Sequence, residues 1–200
     1  MRKNIFEISL AIGLAISLIC SALALDTQKD ISDKLIRLHI IANSDSEEDQ
    51  RLKLLVRDEI LSYVSDLTEN CADINEAREL ISEKLCDLEA TAEKTITSNG
   101  FSYEANAELS EVYFPTKTYD EFSLPAGKYE ALRIKLGNAS GKNWWCVLFP
   151  PVCISASEAK AEFENAGLSD DEINFVMSDD VEYRFKFKIV EIIESIAEKI

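Results

Sequence analysis

Residues 35–56 read LIRLHIIANSDSEEDQRLKLLV, and this stretch decides the fold. A β-branched and leucine-rich run ends at Asn43. Small polar residues and acids follow, and then a helical pattern begins. Leu35, Ile36, Leu38, Ile40 and Ile41 leave only Arg37 and His39 polar, which predicts a central rather than an edge strand. Ser44 with Glu47 fits a capping box, in which the hydroxyl accepts from a free amide and the carboxylate reaches back. Glu47, Glu48 and Asp49 also suit the positive end of a helix dipole. Leu52, Leu55, Val56, Ile60, Tyr63, Val64 and Leu67 keep three- and four-residue spacing over four turns, the mark of an amphipathic helix.

Working outward, Ile74, Ala77, Ile81, Leu85, Leu88, Ala92 and Ile96 predict a second long helix over 73–98. Asn99 and Gly100 stop it. Phe101, Tyr103, Ala105, Ala107 and Leu109 alternate as in a half-buried strand. Residues 115–126 read as a loop. Residues 128–136 alternate again, 137–141 form a turn, and 143–149 read as a returning strand, so the two strands are expected to pair as a hairpin. Residues 157–166 predict a short helix, and Ser169 with Glu172 caps another through Met177. Phe185, Ile189, Ile192, Ile193, Ile196 and Ile200 line a C-terminal helix. The expected fold is a single α+β domain. Its mixed or antiparallel sheet combines the N-terminal strand with the later hairpin, packed by two long helices and the C-terminal helix.

The chain has 200 residues, 46% hydrophobic and 29% charged, with a formal net charge of −16. This is globular composition with room for one real core. The charge argues against nucleic acid, since phosphate contacts need clustered Lys and Arg. It also disfavours an anionic membrane surface for the folded part.

The N-terminus is a separate object. Arg2 and Lys3 precede a run without charge over residues 8–25, and Ala22-Leu23-Ala24 offers small residues where a signal peptidase reads. Residues 1–24 are expected to be a signal peptide cleaved after Ala24, with a retained signal anchor as the alternative. Residues 25–34 read as a polar connector and 35–200 as the domain. Either outcome places the domain outside the cytoplasmic face.

Four cysteines follow Cys20. Cys71 and Cys86 are too far apart along a helix to bridge. Cys146 and Cys153 bracket VLFPPV, and closing that loop would contribute about 2–3 kcal/mol; two buried free thiols are the alternative. No spacing resembles a zinc site, and no cofactor motif is present.

Four constellations merit a chemical reading. His39 is more simply a hydrogen-bonded strand residue than a general base. Asp45, Glu47, Glu48 and Asp49 lack the glycine of a calcium loop, and helix capping accounts for them. A hydrolase using His39 with Cys146 or an acidic residue is the rival functional class, although Cys146 lies in apolar sequence that suits an inert thiol. Trp144 and Trp145 face opposite sides of a strand, so one can anchor a partner.

With both motifs in view, the chain resembles the stage II sporulation protein R family of endospore-forming bacteria. The residues that carry the resemblance are 35–46 (LIRLHIIANSDS), Glu48-Asp49-Gln50, residues 53–58 and residues 143–153 (NWWCVLFPPVC). The resemblance implies a signalling protein without catalytic residues or cofactor. It also implies synthesis in the forespore and export into the space between forespore and mother cell, where the protein is expected to trigger a membrane-embedded aspartic protease, stage II sporulation protein GA, which cleaves the precursor of sigma factor E. Capping uses Ser44 and Glu47, so Asn43, Asp45 and Ser46, with Trp144 and Trp145, are the expected partner-binding residues.

Overall fold

The computed structural model describes residues 2–119, 121–152 and 159–177. Its centre is a four-stranded mixed sheet ordered β2-β5-β1-β6. The strands are β1 (Ile36–Ile41), β2 (Ala105–Phe114), β5 (Gly127–Leu136) and β6 (Asn143–Phe149); β3 (Lys117–Thr118) and β4 (Ser123–Leu124) form a small separate ladder. Every residue of β1 is buried, as its composition predicts for an inner strand.

The expected hairpin of residues 128–136 and 143–149 does not form. β1 lies between the two strands, parallel to β5 and antiparallel to β6. The turn after Leu136 is long enough to span a strand, and the most apolar segment takes the inner position. The hairpin-like antiparallel pair is instead β2 with β5, in register from Ala105–Leu136 to Phe114–Gly127.

The sheet separates two cores. On the first face, Ile36, Leu38 and Ile40 of β1 meet Leu52, Val56, Ile60 and Val64 of α2 (Glu47–Thr68). Ile81 of α3 (Ile74–Glu83) and Leu88, Ala92 and Ile96 of α4 (Leu85–Ser98) complete this core. The long helix predicted over 73–98 is thus two helices, broken at Lys84, whose amide donates to Leu80 and Ile81. Asp73 caps the first by accepting from the amides of Asn75 and Glu76.

On the second face, Leu35, Phe114, Tyr129, Ala131 and Val147 join Phe122, Leu124, Phe163, Ile173 and Val176. The last two lie in α6 (Asp170–Met177), and Phe163 lies in α5 (Ala159–Asn165). Ser169 and Glu172 form the expected reciprocal cap, and Glu172 also pairs with Lys34 at 2.7 Å. Burial works against the Glu172 carboxylate, but the donors from Lys34 and Ser169 outweigh it and hold its pKa below the ordinary value.

α1 (Arg2–Ser32) continues through residues read as a connector. Ile31 is fully buried in the second core and Gln28 is nearly so, which explains why this polar segment is held as helix. The expected C-terminal helix of residues 185–200 lies outside the described residues.

Candidate functional site

The turn between β1 and α2 is fastened to the turn between β5 and β6. The Ala42 carbonyl accepts from the Gly141 amide at 2.9 Å, and the Asn43 carbonyl accepts from the Ser140 hydroxyl at 2.7 Å. Asn43 Oδ1 accepts from the Asn138 amide at 2.9 Å, and Asp45 Oδ1 accepts from the Lys142 amide at 2.7 Å. Lys53 Nζ donates to the Lys142 carbonyl at 3.0 Å and to Gln50 Oε1 at 2.6 Å, while Gln50 Nε2 donates to the Ser44 carbonyl at 2.8 Å. Two glycines permit this approach. A Cβ on Gly141 would stand 2.2 Å from the Ser44 carbonyl oxygen, and one on Gly137, whose φ is +53°, would stand 2.4 Å from Asn43 Oδ1.

Asp49 is the hub of this clamp. Its Oδ2 accepts from Asn43 Nδ2 at 2.9 Å and from the Ser44 hydroxyl at 2.5 Å, and its Oδ1 accepts from the Tyr103 hydroxyl at 2.8 Å. Burial pushes the Asp49 pKa up, yet the donors from Ser44, Asn43, Tyr103 and Ser46 together hold it below the ordinary value. Burial, and then the Asp49 carboxylate, pushes the Tyr103 phenol well above its ordinary value.

The helix cap is Ser46, not Ser44: Ser46 Oγ accepts from the Asp49 amide at 3.2 Å, and α2 starts at Glu47. Ser-Asp-Ser offers two hydroxyls at the same helix end, and Ser44 is drawn instead to the Asp49 side chain. Asn43, Asp45 and Ser46 are therefore not idle. Each is held by hydrogen bonds within the chain, although Asp45 and Ser46 keep exposed surface.

The two tryptophans do divide between the faces. Trp144 packs against the first core with the Arg57 guanidinium 4.4 Å from its ring centre. Trp145 packs against the second, stacked on His39 at 3.9 Å and edge-on to Phe114 at 4.7 Å. Both are half-buried.

His39 and Cys146 do not form a catalytic pair. Cys146 is paired in register with Leu38 and lies in the first core, whereas His39 faces the second. Cys146 is also disulfide-bonded, which removes it as a nucleophile. The expected partner, Cys153, lies outside the described residues; Cys71 and Cys86 are free. His39 Nε2 lies 3.0 Å from Asn143 Oδ1, an amide and not the carboxylate a His–acid pair requires. Burial above all pulls the His39 pKa down to about 4, so the imidazole is neutral at pH 7. Among the described residues no three His, Cys, Asp or Glu side chains converge as a metal site. What the arrangement does chemically is hold two loops and a sheet end in one fixed shape.

Comparison with known proteins agrees with these motifs. The family described as stage II sporulation protein R matches residues 32–159, which run from the end of α1 through every strand of both sheets. Stage II sporulation protein R of Bacillus subtilis (strain 168) is 43% identical over 156 residues, covering 74% of this chain and 68% of that protein. No solved structure matches. The fold and the matched block define a bacterial sporulation protein built as one α+β domain. Within that class, the chain belongs to the stage II sporulation protein R family.

The clamp was hidden from sequence reading because Asn43 and Asp45 find their partners 95 to 97 residues away. The available signal was the match between a polar string after β1 and a glycine-rich turn before β6.

Proposed function

We propose that this chain is an exported sporulation signal that activates the membrane-embedded aspartic protease stage II sporulation protein GA, which then cleaves the precursor of sigma factor E. Family membership across residues 32–159 is the observation that carries this reading. A positive start followed by an uncharged run over residues 8–25 supports export from the forespore into the intermembrane space, as does the disulfide at Cys146. The partner is the protease itself, in the mother-cell membrane, and the membrane is touched only through residues 1–24 where these are retained.

In this reading the clamp is a presentation device. It fixes the edge formed by Asn43, Asp45 and Ser46 next to the Trp144–Trp145 end of β6, and the protease reads that fixed shape. The chain acts by binding and not by catalysis. Deleting the gene in a sporulating host and following the sigma factor E precursor by immunoblot tests the proposal. Uncleaved precursor, with cleavage restored by the intact gene, is the expected result; normal cleavage without the gene overturns it.

A further inference from the structure

Arg37 is a buried charge without a counter-ion among the described residues. It projects from the middle of β1 and is wholly shielded from solvent. Nη2 donates to the Tyr119 hydroxyl at 2.5 Å, and Nε donates to the Cys146 carbonyl at a long 3.4 Å. The guanidinium carbon sits 3.9 Å from the Phe114 ring centre and 4.9 Å from that of Tyr129. Nη1 has no hydrogen-bond partner among the described residues. Among the described residues no carboxylate pairs with Arg37. A guanidinium stays charged when buried, and aromatic faces replace only part of the lost hydration.

Other polar atoms on the same face are also unsatisfied. Among the described residues His39 Nδ1 and Arg133 Nε have no hydrogen-bond partner. His39 stands two residues along β1 from Arg37, and Arg133 is its register partner on β5. Lys117 Nζ lies 5.9 Å from the Trp145 ring centre with no acid bound to it among the described residues. Glu108 is already engaged by Arg133 and Lys135. In a chain of net charge −16, the cations Arg37, Lys117, Arg133 and Lys135 on this face are met among the described ion pairs by one carboxylate, Glu108.

We infer that Arg37 anchors a carboxylate-binding site on the second face of the sheet, closed in this state by Tyr119. The cover is the half-buried Tyr119 side chain, which rotates away while Phe122 and Leu124 of the β3–β4 ladder stay packed in the second core. Moving Tyr119 frees Nη2 beside the unpartnered Nη1. Two parallel N–H donors then present the fork that accepts both oxygens of a carboxylate, a stronger acceptor than the neutral phenol it replaces. The ligand is a carboxylate, whether an acidic side chain of a protein partner or a free carboxylic acid. The inference stands independently of protease activation.

The test uses the full chain in mild detergent, read by tryptophan fluorescence, since Trp145 packs on the Phe114 ring that holds Arg37. The probes are sodium acetate against sodium chloride at equal ionic strength, and an acetylated, amidated Gly-Asp-Gly peptide against its Gly-Asn-Gly counterpart. Acetate and the Asp peptide should give saturable responses that chloride and the Asn peptide do not. Tyr119→Phe, which removes the competing hydroxyl, should tighten binding by about fivefold, the worth of one neutral hydrogen bond. Arg37→Met should abolish the response while the far-ultraviolet circular dichroism is retained. Should Arg37→Met not fold, Arg37→Lys, which lacks the fork, should bind at least about tenfold more weakly. An Asp peptide at least about tenfold tighter than acetate identifies a protein side chain as the ligand, and equal affinities identify a free acid. No saturable response in the wild type, or the same response in the Arg37 variants, overturns the inference.

Discussion

Asp49 and Tyr103 are joined at 2.8 Å across the domain, from the first turn of α2 to the segment just before β2. The same carboxylate holds Asn43 and Ser44 with its other oxygen. A residue that reads as a dipole partner in the sequence is thus the centre of a tertiary network. Asp49→Asn keeps the shape but turns an acceptor into a donor facing Asn43 and Ser44. The expected cost is about 2–3 kcal/mol at pH 7, measured by urea unfolding.

The pH dependence of that cost follows from the lowered Asp49 pKa. A carboxyl group held below its unfolded value near 3.8 contributes stability that is complete above that pH and is lost as pH falls through the lower folded value. The gap between wild type and Asp49→Asn should therefore narrow below about pH 4 in the same unfolding experiment.

His39 titrates in the opposite sense. Its pKa is about 4 in the folded chain against 6.5 unperturbed, so the unfolded chain binds a proton that the folded chain refuses. Stability should fall as pH drops from about 6.5 to about 4, by as much as roughly 3 kcal/mol. His39→Gln, neutral throughout, should flatten this part of the profile. NMR titration of the imidazole gives the folded pKa directly, and a value near 6.5 contradicts the buried, stacked geometry.

Gly141→Ala tests the close approach of the two turns. The added carbon would meet backbone, the Ser44 carbonyl, which cannot swing away as a side chain can. The expected loss is about 1–3 kcal/mol, with hydrogen exchange quickening at the Gly141 and Lys142 amides. Unchanged exchange at those amides would show that the clamp is not held by this contact.

How legible was this in the sequence? β1 and α2 were, because a β-branched run followed by regular three- and four-residue spacing has no competing reading. β5 and β6 were legible as strands but not as neighbours of β1, since pairing is decided by which segment buries best in the sheet. The break at Lys84 left no mark, because the apolar stripe from Ile81 to Leu88 continues through it without Gly or Pro. Residues 26–32 look like a polar connector until Ile31 and Gln28 find the second core. Arg37 reads only as a polar residue in an apolar strand, and its isolation appears only when the sheet brings Phe114, Tyr119 and Tyr129 around it.

Activation of the protease by binding is tested most directly by reconstitution. The protease, the sigma factor E precursor and this chain are expressed together in a host without a sporulation programme, and precursor cleavage is quantified. Cleavage should require this chain in exported form. Asp45→Lys, which reverses the charge at the exposed edge of the clamp, should reduce cleavage at least about tenfold with the chain still folded. Equal cleavage with and without the chain, or none when all three are expressed and this chain is exported, would contradict activation by binding.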